Sequence, residues 1–275
     1  MEKNFIIVGA ASGIGRAAAR IFAEKGNGLA LGDMNTGGLN TLTDEINLLR
    51  HRVWSAQVDV TIPSQVESFV EGAVNALGRL DALIYCAGIG FFSPIVDMPI
   101  EQWDKVIAVN LNGAFYFAQA VAKQMIRQRS RGCLLFISSI ASTHNTNQVS
   151  SYCASKAGLN MLVKCLASEL GNHRIRANAV MPGVTDTALT APMLQKERYR
   201  KMLKATIPLG RWGQAEEIVA LLEFLASDKA LYINGQAIVI DGGYTTRQLP
   251  DWWPLNYTND HEVNWYDLFS RYPYK

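Results

Sequence analysis

Phe5-Ile6-Ile7-Val8 is an uninterrupted apolar run that ends on Gly9, and a helical pattern from Ile14 to Lys25 follows it. A short apolar run bounded by glycine suits a strand buried on both faces, as in parallel sheets. Parallel neighbours need crossover connections, so this start commits the chain to repeated strand–helix units. The remaining sequence has that rhythm. Further strands are expected at Leu29–Asp33, Val53–Val60, Leu80–Tyr85, Leu134–Ile137, Ile175–Met181 and Ala237–Ile240. Helices are expected over Leu39–Leu49, Pro63–Gly78 and Gln102–Arg127, and from Tyr152 to about Leu170. The predicted fold is α/β: one domain over residues 1–246, built on a doubly wound, mostly parallel seven-stranded sheet. Residues 247–275 form a separate extension rich in Trp and Tyr, with little periodicity. That density of large side chains argues for packing on this subunit or a neighbour.

Composition narrows the function by exclusion. The 275 residues are 49% hydrophobic and 18% charged, which is ordinary for a globular protein. A net charge of +2 offers no footprint for nucleic acid or an anionic membrane. No uncharged apolar run is long enough to span a bilayer, and the N-terminus lacks signal-peptide features. The four cysteines, Cys86, Cys133, Cys153 and Cys165, show no metal-ligand spacing. They are expected to be reduced and mostly buried, in a cytoplasmic protein that holds no metal.

Two stretches carry chemistry. Gly9-Ala10-Ala11-Ser12-Gly13-Ile14-Gly15 joins the first strand to the first helix. Glycines there permit a tight turn and let backbone N–H groups approach a pyrophosphate at the helix N-terminus. Asp33 ends the second strand, where a carboxylate can bond a ribose 2′-OH and would repel a 2′-phosphate. This favours NAD over NADP, and Arg16 is assigned to the solvated face of the first helix. Asp59 is a candidate contact for the adenine amino group. Tyr152 and Lys156 stand one helical turn apart, with Ser139 upstream. An ammonium group within reach is expected to lower the phenol pKa and make Tyr152 a usable general acid or base.

These motifs together resemble the classical short-chain dehydrogenase/reductases, from about Phe5 to Tyr244. Gly9, Gly13 and Gly15 match the cofactor glycines, Asn110 the helix asparagine, and Ser139, Tyr152 and Lys156 the catalytic residues. Pro182-Gly183-Val184-Thr185-Asp186-Thr187 matches the segment that holds the nicotinamide. Pro208 to Gly213 and Asp241-Gly242-Gly243 resemble C-terminal signatures. The resemblance implies a Rossmann-type fold, an NAD cofactor and a homodimer or homotetramer. It also implies cofactor contacts from Gly9, Ser12, Gly13, Ile14, Gly15, Asp33, Asp59, Val60, Ala87 and Gly88. Asn110, Tyr152, Lys156, Pro182, Gly183, Val184 and Thr187 complete that set. Asn110 is implied to hold a water linking Lys156 to solvent. Val8 and Cys86 depart from the family, where a threonine and an asparagine are usual. Losing both partners of one side-chain hydrogen bond is close to neutral.

The implied reaction interconverts a secondary alcohol and a ketone by hydride transfer. The polar loop between Ser139 and Tyr152 suits a polyol or sugar-like substrate, or is simply a solvated turn. Met193 and Leu194 are candidates for an apolar lid, and Phe91 and Phe92 for pocket or core. The basic run from Lys196 to Lys204 is read as a solvated helix face. Two other readings stay open: an NADPH-dependent 3-oxoacyl or apolar-ketone reductase, and a scaffold that senses NAD without turnover.

Overall fold

The computed structural model describes residues 2–48, 51–145 and 147–246. Seven strands form one sheet in the order β3-β2-β1-β4-β5-β6-β7. They are β1 (Asn4–Val8), β2 (Gly28–Asp33), β3 (Val53–Gln57), β4 (Ala82–Tyr85), β5 (Gly132–Ile137), β6 (Ile175–Pro182) and β7 (Ala237–Ile240). Every neighbouring pair is parallel. β1 is buried throughout, as its apolar run predicts.

Helices cover both faces. On one, α1 (Gly13–Glu24), α2 (Thr36–Leu48) and α9 (Ala215–Ala226) close a core around Phe5, Ile7, Leu29, Leu31 and Leu222. On the other, α3 (Pro63–Leu77), α5 (Gly113–Arg127) and α6 (Ser150–Leu170) pack against Ile6, Val8, Leu83, Tyr85 and Phe136. The remaining α-helices are α4 (Ile100–Ile107), the short α7 (Ala191–Leu194) and α8 (Glu197–Thr206). Met1–Thr245 is one compact unit. The aromatic extension expected over 247–275 lies outside the described residues.

Two differences from the sequence reading bear on function. The expected helix Gln102–Arg127 is interrupted: Ala108–Asn112 is a π turn between α4 and α5, and Asn110 is in it. α9 has no counterpart in the sequence reading, although its start carries a capping box. The Gln214 side chain accepts from the Glu217 N–H, and Glu217 accepts from the Gln214 N–H. Arg211, in the Pro208–Gly213 signature, holds Glu217 through two hydrogen bonds of 2.7 and 2.8 Å. That motif therefore fixes the entry to α9.

The strand order reverses between β1 and β4. β1 leads outward through β2, and β4 leads the other way through β5. In open α/β sheets ligands bind at the C-terminal ends of the strands flanking such a switch point. The glycine turn after β1 and Ala87-Gly88 after β4 both lie there.

Candidate active site

A cavity of about 730 Å³ opens at that switch point. Its wall includes Gly9, Ser12, Gly13, Ile14 and Gly15 from the β1–α1 turn, and Asp33, Asp59 and Val60 from the ends of β2 and β3. Ala87 and Gly88 follow β4, Ser139 follows β5, Pro182 ends β6, and Gly183 and Thr187 follow it. Tyr152 and Lys156 reach it from the first turns of α6. Two expected residues are not on this wall. Val184 packs beside Leu194, Leu203 and Ile207, and Asn110 is wholly buried behind it.

Local geometry explains the glycines. Gly9 adopts φ +79°, and a Cβ there would lie 2.6 Å from the Ala87 nitrogen. Gly15 has an ordinary φ, yet a Cβ would lie 2.1 Å from the Gly9 carbonyl oxygen. The first glycine turns the chain and the last lets helix and turn close on each other. The result is a cradle of bare backbone at the N-terminus of α1, shaped for a diphosphate. This fits a dinucleotide.

Asp33 is fixed by two backbone donors: Ala11 N–H at 2.9 Å and Asn35 N–H at 2.8 Å. Its carboxylate faces the cavity without a cation partner among the described residues. Arg16 is held at 2.6 Å by Glu45 and also reaches the Gly38 carbonyl, so it is engaged elsewhere. Asp59 accepts from the Thr61 N–H and hydroxyl.

Lys156 is 3% exposed, and its ammonium donates to the Ile137 carbonyl at 2.8 Å. It lies 5.5 Å from the centre of the Tyr152 ring. Burial pushes its pKa down to about 8. Burial also raises the Tyr152 pKa, while a hydrogen bond with Ser139 pulls it the other way. The expectation that Lys156 lowers the phenol pKa needs correction on this point. In the protein alone desolvation penalises both charged forms, and the opposing influence on Tyr152 comes from Ser139. Ser139 Oγ also accepts from Ala141 N–H at 3.1 Å, which fixes the hydroxyl at the end of β5.

Asn110 does not touch the cavity. Its Oδ1 accepts from Ile89 N–H at 2.8 Å, and its Nδ2 donates to the Ile89 carbonyl and to Ser155 Oγ. Ser155 in turn donates to the Tyr152 carbonyl at 2.8 Å. The side chain thus ties the loop after β4 to the turn of α6 that bears the tyrosine.

Ser139, Tyr152 and Lys156 converge on one cavity wall, opposite a glycine cradle at the switch point of a seven-stranded parallel sheet. A family model described as "Enoyl-(Acyl carrier protein) reductase" matches residues 9–245. The chain belongs to the short-chain dehydrogenase/reductase family. This dehydrogenase/reductase is 40% identical over 241 residues to 3-oxoacyl-[acyl-carrier-protein] reductase FabG of Thermotoga maritima, covering 88% of this chain and 97% of that protein. It is 36% identical over 242 residues to an L-rhamnose 1-dehydrogenase (NAD(P)(+)) of a Sphingomonas species, covering 88% and 95%. A crystal structure of a short-chain type dehydrogenase/reductase from Mycobacterium marinum superposes with a TM-score of 0.84 at 36% identity, covering 89% and 96%. The dehydrogenase/reductase is accordingly an oxidoreductase acting on CH–OH groups.

Other expectations were local and met tertiary structure differently. No described residue between 140 and 151 is on the wall of this cavity. Phe92 is 75% exposed, and neither it nor Phe91 lines the cavity. Leu194 is buried in a small core of its own with Leu203 and Ile207, while Leu189 and Thr190 reach the cavity instead. Lys196, Arg198, Lys201 and Lys204 are exposed, in keeping with a solvated helix face. Only Cys133 of the four cysteines is fully buried, and Cys165 is exposed because α6 turns it outward. Among the described residues no helix is long and apolar enough to cross a membrane, and no His/Cys/Asp/Glu group could hold a metal ion. Thr185, inside the Pro182–Thr187 segment, also lines the cavity, as does Lys105, which sits in no spacing pattern of the sequence.

Proposed function

We propose that this enzyme is an NAD-dependent dehydrogenase of a polyol or sugar-like secondary alcohol. The observation that carries the chemistry is the convergence of Ser139, Tyr152 and Lys156 on the cavity beside the glycine cradle. Bound nicotinamide dinucleotide supplies the hydride acceptor or donor. Gly9, Gly13 and Gly15 bind the diphosphate through backbone N–H groups, and Asp33 accepts from the adenosine ribose. Tyr152 takes the proton from the substrate hydroxyl in oxidation and returns it in reduction. Ser139 orients the reacting oxygen by a hydrogen bond. Lys156 fixes the ribose beside the reacting carbon, and Asn110 holds α6 in place as a positioning residue.

NAD is favoured because Asp33 faces the cavity as a carboxylate and Arg16 is occupied by Glu45. Kinship with the L-rhamnose dehydrogenase supports the substrate class. A panel of sugars, polyols and hydroxy acids, read by absorbance of the reduced nicotinamide, tests the proposal. A sugar or polyol is expected to give the highest kcat/KM, with NAD preferred over NADP. Asp33→Asn is expected to lower kcat/KM for NAD by about 10- to 100-fold, the worth of a charge-assisted hydrogen bond. Unchanged cofactor preference in that variant would refute the ribose assignment.

The 40% identity to the FabG reductase favours a second reading, reduction of a 3-oxoacyl thioester. Preferred use of NADPH with such a thioester would establish it over the first.

A dimer or tetramer is supported by large apolar side chains left exposed: Phe115 on α5, Met161 on α6, Val239 on β7, and Leu231 and Tyr232 in the segment before β7. Light scattering at the mass of a single chain would refute it.

A further inference from the structure

We propose that Tyr85 is a positioning residue: its hydroxyl pins the π turn that carries Asn110 and, through Asn110 and Ser155, sets the catalytic end of α6. The proposal rests on the dehydrogenase reading for its kinetic consequence but not for its structural one.

Tyr85 is the last residue of β4 and is wholly buried. Its hydroxyl donates to the Val109 carbonyl at 2.6 Å. Val109 lies inside the π turn, where the Gly113 N–H reaches back five residues to the Ala108 carbonyl. A π turn is an unfavourable insertion in a helix and persists where tertiary contacts hold it. The hydroxyl is such a contact. Gly113 makes room for it: a Cβ there would lie 2.5 Å from the Tyr85 oxygen and 2.9 Å from Val60. A large phenol on the strand and a bare glycine on the helix therefore fit one another.

From the π turn the connection continues by direct contact. Asn110 follows Val109 and bonds both backbone groups of Ile89. It also donates to Ser155 Oγ at 3.0 Å, and Ser155 donates to the Tyr152 carbonyl at 2.8 Å. Gly88 sits in the same corner, where a Cβ would lie 3.4 Å from Lys156 Nζ and 3.5 Å from Asn110 Oδ1. Every group in this chain of contacts is polar and engaged, so movement at one end must be taken up at the other. Burial raises the Tyr85 pKa well above its usual range, so the hydroxyl stays a neutral donor at working pH.

Tyr85→Phe keeps the ring and removes only the donor. The expected result is a fall in kcat of about 5- to 100-fold, the consequence of a part-buried carbonyl that loses this donor, with KM for NAD changed less than about threefold. Amide hydrogen exchange is expected to speed up in peptides covering residues 104–116 and 150–158 and to stay at the parental rate over residues 4–24. Gly113→Ala disturbs the same contact from the helix side and should give the same regional pattern. It also serves as the test if Tyr85→Phe does not fold. In the double variant the two losses should be less than multiplicative, because both break one contact. Parental exchange over 150–158, or faster exchange spread evenly over the chain, would overturn the proposal. So would an unchanged kcat. Should the parent oxidise no alcohol with NAD or NADP, the functional reading fails while the exchange pattern still decides the role of Tyr85.

Discussion

Tyr152→Phe is expected to lower turnover by about 10²- to 10⁴-fold, the usual range for a lost general acid–base group. The change removes one oxygen. Tyr152 is half-buried and its ring packs beside Gly90, where a Cβ would come within 3.3 Å. The phenylalanine ring keeps that packing, so affinity for NAD should stay within a few-fold of the parent by calorimetry. Loss of turnover with retained binding separates an acid–base role from a structural one. A companion variant reads the pKa directly. The hydrogen bond with Ser139 pulls the Tyr152 pKa down against burial. Ser139→Ala removes that influence, so the tyrosine titrates higher. Alcohol oxidation needs the phenolate, and its acid limb should therefore move to higher pH in Ser139→Ala. A Tyr152→Phe protein as active as the parent would remove the acid–base role of this tyrosine, whereas a parent that binds NAD and oxidises no alcohol would support the NAD-sensing scaffold.

What the sequence showed and what it hid divide along physical lines. Strands β1, β4 and β5 were legible because residues buried on both faces leave a continuous apolar run. The glycine cradle was legible because a turn of bare backbone admits few other residues. The Tyr152–Lys156 pair was legible because one helical turn fixes their common face. The π turn at Ala108–Asn112 was not, since nothing local breaks that helix. Its cause lies on β4, in the Tyr85 hydroxyl, and in the space left by Gly113. The helix Ala215–Ala226 carried a readable signal in Gln214 and Glu217 that the strand-centred reading passed over. The polar loop after Ser139 suggested substrate contacts by composition, whereas no described residue from 140 to 151 lines the cavity. The lid residues were placed by position alone, and burial sorted them otherwise: Leu194 went into a small core and Leu189 onto the cavity wall. The direction of the tyrosine pKa shift was missed for the same reason. Spacing reveals a neighbouring charge but not the desolvation that opposes it.

Lys156→Met brings that desolvation under test. Activity should fall by at least about 10²-fold, since the variant loses the ammonium beside Tyr152. The more discriminating result concerns the stability of the cofactor-free protein. Burial lowers the lysine pKa from 10.5 to about 8. Between those values the unfolded chain holds a proton that the folded chain has released. Stability therefore rises with pH across this window, and it is level below about pH 8, where the folded and the unfolded chain both carry the proton. The full penalty on the charged form is about 3 kcal/mol, at about 1.4 kcal/mol for each tenfold change. From pH 8 to pH 9.5 the lysine alone should add on the order of 1 to 2 kcal/mol. Cys86 and Cys133 work in the opposite sense at higher pH, because burial raises their thiols to about 12 and about 11. The difference between parent and Lys156→Met cancels the Cys133 contribution, and that of Cys86, whose pKa the Lys156 charge lowers, is kept small by measuring below about pH 9.5. Urea unfolding of the two proteins at several pH values should show that difference growing in favour of the parent from pH 8 upward. A difference independent of pH would mean that Lys156 titrates in the folded protein as it does in the unfolded chain. The site would then hold a full ammonium charge against Tyr152 over the whole working range, and the phenol pKa would be set by the lysine after all.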